Sequence, residues 1–261
     1  MPSERVAIVT GASSGMGLAL SRDLVNRGWK VAMADINPNV ELSKELGDKA
    51  EFFKCNVADY DSQAEMFQKA WDKFGRIDAL CANAGIVDRS SVYILDHRGS
   101  NKIPPKPDLS CTDIDYKGVV YGTQLAIHFM RKNKTPGGKI VATVLNFIRA
   151  VSRVLKIKEN ITTHAVLPGI VHTNIIPQAM IDAVSSEALT PVSSIVSAYN
   201  RFLDGDDSLN GEALECAADK QMFVPRPEYL NGGISKRACT VWDPLFKMYH
   251  HELSELPDAI P

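Results

Sequence analysis

An α/β fold built on one doubly wound parallel sheet is the class this sequence predicts, and three observations predict it. Apolar runs of strand length alternate with segments of helical period through most of the chain, the pattern of βαβ units. A glycine-rich turn, Thr10-Gly11-Ala12-Ser13-Ser14-Gly15-Met16-Gly17, stands between the first apolar run and the first helical segment. At 261 residues, 45% hydrophobic and 23% charged, the chain carries apolar material for one sizeable core, so residues 1–261 read as a single α/β domain.

The strands read, in order, at 6–10, 30–35, 51–56, 77–82, 139–143 and 161–167, with a shorter one at 211–216. Between them, residues 17–26 form a helix that ends before Gly28, and residues 63–74 place Met66, Ala70 and Phe74 on one helical face. Right-handed crossovers then wind helices onto both faces of the sheet and put a ligand at the carboxyl ends of the strands. Residues 5–87 are the half that holds it. Three stretches fit the regular pattern poorly. Residues 88–112, with Pro104-Pro105-Lys106-Pro107, read as a long loop; residues 173–210 read as a mobile cover over a substrate; residues 225–261, with Tyr229, Trp242, Phe246 and Tyr249, read as a tail packed across the domain or onto a second subunit.

A net charge of −2 gives no reason to expect nucleic acid, and no run approaches the ~18 apolar residues that span a membrane. With no leader pattern at the start, the expectation is a soluble, cytoplasmic protein with a small-molecule substrate and no membrane or nucleic-acid partner. The cysteines, Cys55, Cys81, Cys111, Cys216 and Cys239, are odd in number and never form C-x-x-C, so they read as reduced and mostly buried. No metal is expected either, because His250-His251 lacks further spaced ligands.

The glycine-rich turn carries the strongest chemical signal. Glycines let backbone approach a pyrophosphate, whose charge is met by N–H groups at a helix start. Asp35 ends the second strand 18 residues after Gly17, close to the spacing of a ribose-binding carboxylate. A carboxylate there accepts from a free 2′-hydroxyl and repels a 2′-phosphate, so NAD is favoured and NADP is the alternative. Asp35 also suits a plain turn before Asn37-Pro38.

These residues resemble the short-chain dehydrogenases/reductases. The resemblance rests on residues 10–17, on Asn83-Ala84-Gly85 after the fourth strand, and on Pro168-Gly169-Ile170-Val171-His172-Thr173 after the sixth. It spans roughly residues 5–216, is closest in character to fungal hydroxyprostaglandin-dehydrogenase-like proteins, and implies a Rossmann-type domain, NAD(P)-dependent oxidoreductase activity and a place in secondary metabolism. It also implies that Thr10, Gly11, Ser13, Ser14, Gly15, Met16, Gly17 and Asp35 bind the cofactor. Asn56 and Val57 then flank the adenine, Asn83, Ala84 and Gly85 support the central strand, and Pro168, Gly169, Val171 and Thr173 lie along the nicotinamide.

Catalysis is where the resemblance breaks. The family uses a serine past the fifth strand and a Tyr-x-x-x-Lys on the next helix, a spacing that puts both on one face. None of Tyr60, Tyr93, Tyr116, Tyr121, Tyr199, Tyr229 and Tyr249 has lysine four residues later. From residues 139–143 the chain passes through Val144 into Leu145-Asn146-Phe147-Ile148-Arg149-Ala150-Val151, which resembles the back half of the catalytic helix. Seventeen residues, 144–160, connect the two strands, a feasible but shortened crossover after the fifth strand. Val144, Ile148, Val151 and Leu155 form its apolar face.

The family's asparagine aligns with Asp115, which leaves an acceptor where an amide stands in the family. His172, Tyr116 and Lys117 are the possible stand-ins, although a loop histidine is more often simply solvated; His128 reads as capping or packing its helix. Three functions stay open. The first is an NAD(P)-dependent oxidoreductase on a hydroxyl or keto group of a small, largely apolar metabolite. The second is a dinucleotide-binding protein without turnover, and the third a non-redox enzyme of dehydration or cyclisation in the same pocket. The missing segment reads as a splice form, a gene-model error or a true loss. Homo-oligomer formation is a family expectation, weakened by the shortened helix.

Overall fold

The computed structural model describes residues 4–261, so the first three residues of the start read from sequence lie outside the described residues. Its strands are β1 Val6–Thr10, β2 Lys30–Asp35, β3 Ala50–Lys54, β4 Ala79–Cys81, β5 Gly138–Ala142, β6 Ile161–Pro168, β7 Ala213–Ala217 and β8 Lys220–Phe223. They form one sheet in the order β3-β2-β1-β4-β5-β6-β7-β8, parallel except for the β7–β8 pair. The helices are α1 Gly15–Asn26, α2 Val40–Leu46, α3 Tyr60–Phe74, α4 Gly118–Met130, α5 Leu145–Glu159, α6 Gln178–Ala183, α7 Val192–Leu203, α8 Gly232–Ala238 and α9 Asp243–His250.

Because successive side chains of a strand point to opposite faces, β1 sends Ala7 and Val9 one way and Ile8 the other. Ala7 and Val9 pack with Leu20 and Leu24 of α1, Leu42 of α2 and Ile195 and Phe202 of α7. Ile8 packs with Phe67 of α3, Phe129 of α4 and Ile148 of α5. Both faces are covered, which is why the central strands read as continuous apolar runs. The winding reverses where β1 meets β4, and there the strand ends splay to leave a crevice.

Several boundaries differ from the sequence expectation for local reasons. β4 is only three residues long, and ahead of it the Asn133 side chain takes both the Ile77 N–H (3.1 Å) and the Ile77 carbonyl (2.7 Å). β8 is unexpected: the turn that creates it is Ala218-Asp219, without the glycine that marks a tight hairpin, and Ala218 adopts φ 51° with its N–H held by Thr190 Oγ1. Residues 192–203 are no mobile cover. They form α7, whose stripe of Ile195, Ala198, Tyr199 and Phe202 is buried against the sheet beside α1. On α5 the buried stripe is Ile148, Ser152 and Leu155 rather than one through Val151. Ser152 fits there because its hydroxyl donates to the Arg149 carbonyl and its own carbonyl accepts from Asn210.

The segment after β4 has one short 3-10 turn, Leu95–His97, and its neck is tied by Ser90 and Asp108. The tail packs back on α5: Lys158 pairs with Glu252 (3.3 Å) and Glu255 (2.6 Å), and Arg153 pairs with Asp258. Among the described residues no helix is long and apolar enough to cross a membrane. All five cysteines are free, with Cys55, Cys81 and Cys216 buried.

His164 of β6 is buried at 2% exposure, stacked on Phe202 with ring centroids 4.3 Å apart. Burial, with Lys139 nearby, pulls its pKa from the usual 6.5 down to about 3. The folded chain therefore resists protonation that the unfolded chain accepts, so stability is whole above pH ~6.5 and falls below it by about 1.4 kcal/mol per pH unit. Urea unfolding at pH 7.5 and 5.5 is expected to show this loss, and His164→Phe to remove most of the slope.

Candidate functional site

The crevice at the β1–β4 reversal is a groove of about 270 Å³. Its floor is the glycine-rich turn. Gly11 adopts φ 68° and Gly15 φ 50°, the left-handed region where a side chain is strained. Gly17 is fixed by space instead: a Cβ there would overlap the Gly11 carbonyl oxygen and lie 2.7 Å from Asn83 Nδ2. Thr10 ties the turn to β4, its hydroxyl accepting from the N–H groups of Asn83 and Ala84 (3.0 Å each) while Asn83 Nδ2 donates to the Thr10 carbonyl (3.0 Å). The α1 N-terminus points out of this floor with no side-chain cap and no acidic residue in its first turn, which leaves N–H groups of the positive dipole end for a ligand.

Most residues named from sequence meet here: Gly11, Ser14, Gly15, Met16, Asp35, Asn56, Val57, Asn83, Ala84, Gly85 and Thr173 line the groove. Thr10, Ser13, Gly17, Pro168, Gly169 and Val171 do not. Thr10 and Gly17 act beneath the floor as described. Ser13 turns its N–H to Asp35 and its hydroxyl to the Asn37 carbonyl. Pro168 pairs with Cys216 in the sheet, Gly169 donates to the Cys216 carbonyl (2.7 Å), and Val171 is buried in the core. The sequence reading missed Ala34, Ile36, Asn37, Cys55, Ile86, Ile114 and Ile175, apolar or neutral residues whose only signal is adjacency to a motif.

Asp35 serves its turn and the groove together. One carboxylate oxygen accepts the Ser13 N–H (3.0 Å) and the other the Asn37 N–H (3.1 Å), leaving a lone pair on each. Besides Asp35, the titratable group lining the groove is the Cys55 thiol, which burial pushes up to about 11. No lysine, arginine, histidine or tyrosine is among the lining residues.

The residues considered for proton transfer are placed elsewhere. Asp115 sits in a π-helical turn, Thr112–Lys117, ahead of α4; it accepts the Ile86 N–H (2.9 Å) and the Cys111 thiol (3.2 Å). Burial and the Asp115 and Asp88 carboxylates push that thiol up to about 12. Tyr116 stands edge-on to Phe147 at 6.2 Å, Lys117 pairs with Asp113 at 2.9 Å, and His172 is exposed beside Thr173. His128 is exposed in the last turn of α4, edge-on to Phe129, and His250 stacks near Phe246. Only Thr143 and Val144 separate β5 from α5. Among the described residues no group of three His, Cys, Asp or Glu side chains is placed to hold a metal ion.

Sheet order, groove and uncapped helix start define a doubly wound α/β protein of the dinucleotide-binding class. The model of the short chain dehydrogenase family matches residues 5–146, and the chain belongs to that family, whose members bind NAD(P)H. Prx6 of Penicillium rubens, a short-chain dehydrogenase/reductase, is 49% identical, with 98% of each chain covered. That alignment runs over 291 positions, 30 more than the 261 residues here, so prx6 carries at least that many without counterpart. The NAD(+)-dependent 15-hydroxyprostaglandin dehydrogenase of Macaca fascicularis is 31% identical over 144 residues, covering 52% of this chain and 48% of its own. In structure, the chain is similar to a 3-ketoacyl-(acyl-carrier-protein) reductase of Brucella melitensis complexed with NADH. There the TM-score is 0.70 at 20% identity, over 82% of this chain and 97% of the other.

Gly17→Ala is expected to push α1 off the Gly11 carbonyl, costing roughly 1–3 kcal/mol of stability. Thermal unfolding reads that cost, and the same substitution abolishes any gain in melting temperature from added NADH.

Proposed function

We propose that this chain holds NAD(H) in the groove and, with the residues it has, transfers hydride feebly or not at all. The observation that carries this reading is the groove's own lining: an assembled glycine cradle with no lysine, histidine or tyrosine beside it. Bound nicotinamide supplies the hydride chemistry. The chain supplies Gly11, Gly15 and Gly17 for close backbone approach, the α1 N-terminus for the pyrophosphate, and Asp35 for the ribose. NAD is favoured over NADP because Asp35 repels a 2′-phosphate and no lining lysine or arginine offsets it.

The family role in this reading is that of an oxidoreductase on a hydroxyl or keto group of a small, largely apolar metabolite, in the cytoplasm and in secondary metabolism. Pairing of two copies belongs to the same family role. The additional positions of prx6 favour a second reading, in which an active longer form inserts a serine and Tyr-x-x-x-Lys between β5 and α5. Sequencing the transcript across codons 143–145 distinguishes the two: an included exon carrying those residues makes this chain a truncated form of an active enzyme.

Two measurements test the first reading. NADH formation with a panel of secondary alcohols is expected to stay far below the order of 1 s⁻¹ typical of enzymes, and turnover at that rate sinks it. Asp35→Ala is expected to weaken NADH binding about tenfold and narrow its margin over NADPH, both read by fluorescence titration; an unchanged margin removes the ribose role.

A further inference from the structure

The turn after β2 is bound to the glycine-rich turn by hydrogen bonds that converge on Ser13. Its N–H donates to Asp35 (3.0 Å), its hydroxyl to the Asn37 carbonyl (2.5 Å), and its carbonyl accepts from Asn39 Nδ2 (3.0 Å). Asn39 holds two elements at once. Its Oδ1 caps α2 by accepting the Leu42 N–H (2.9 Å), and its main-chain carbonyl accepts both the N–H and the hydroxyl of Ser43 (3.0 Å each). Neither Ser13 nor Asn39 lines the groove, whereas Ser14, Gly15 and Asp35 do.

A trans peptide is planar, with its carbonyl oxygen and the next N–H pointing in opposite directions. An amide that grips the Ser13 carbonyl from the α2 side therefore turns the Ser14 N–H away from α2. The same grip keeps Ser13 where its N–H meets Asp35. We infer that Asn39 is a positioning residue for the dinucleotide: through Ser13 it sets the direction of the Ser14 N–H at the pyrophosphate end and the orientation of the Asp35 carboxylate at the ribose end. The inference rests on the groove being the NAD site.

The two duties of Asn39 separate by substitution. Asn39→Asp keeps an oxygen for the Leu42 N–H and so keeps the cap, but it removes the donor and faces a carboxylate oxygen against the Ser13 carbonyl. Asn39→Ala removes both. For Asn39→Asp the expected result is a melting temperature within a few degrees of the unaltered chain. NADH affinity falls about tenfold, and amide exchange over residues 10–20 is faster without cofactor. Asn39→Ala loses stability as well. If Asn39→Asp binds NADH as tightly as the unaltered chain with unchanged exchange, the inference is overturned. If the unaltered chain itself fails to bind NADH, the reading of the groove falls and the positioning role falls with it. A difference in exchange then leaves only a structural clamp.

Discussion

How closely the start of α1 approaches the end of β1 governs the whole carboxyl edge of the sheet, and the missing side chain at Gly17 sets that distance. With hydrogen alone on Gly17, the helix rests on the Gly11 carbonyl and beside Asn83. Thr10 can then reach the main chain of Asn83 and Ala84, locking β1 to β4 across the winding reversal. Gly11 and Gly15 bend into left-handed conformations that keep the turn bare. The groove exists because a helix, a strand and its neighbour are drawn together at one point while the sheet splays around it.

Around that point the polar groups are spent on holding backbone. Asp35 is shared between Ser13 and Asn37, Asp115 holds Ile86 and Cys111, and Asn56 accepts the Ala58 N–H at 3.1 Å. What remains toward the groove is main chain, apolar side chain and a few short polar groups, among them one free lone pair on each oxygen of Asp35. α5 lies over β6 while α4 packs with α3, and an open cavity of about 920 Å³ between them is also lined by Phe246 and His250 of α9. Its lining shares no residue with the groove, and the acidic tail pinned to Lys158 borders it.

The fold was largely legible in the sequence because its central strands are buried on both faces and its helices are apolar on one. β1 and β2 lie where the apolar runs place them, and β6 extends one residue further. α7 was passed over although Ile195, Ala198, Tyr199 and Phe202 recur at helical spacing: the helix follows loop-like Pro191, and its serines lie off that buried stripe. β8 and α2 are short: the turn into β8 is held from a distance by Thr190 on Ala218, and α2 is opened by its own N-cap, Asn39 on Leu42. At the site, the glycines and Asp35 carried a spacing signal. The residues between motifs, Ile36, Cys55, Ile86 and Ile114, carried none.

By itself the sequence determined the α/β class, the order of its units, the glycine cradle, the carboxylate at the end of β2 and the absence of Tyr-x-x-x-Lys. These are properties of residue type and spacing, which a chain states without folding. Tertiary structure alone decided which motif residues face the groove and which face the protein. It turned Ser13, Pro168 and Gly169 inward, left Ser14 and Thr173 at the groove, and spent Asp115 on a main-chain amide. The direction in which a side chain or an N–H points is fixed by partners distant along the chain, and those partners exist only once the sheet and both helical layers are in place.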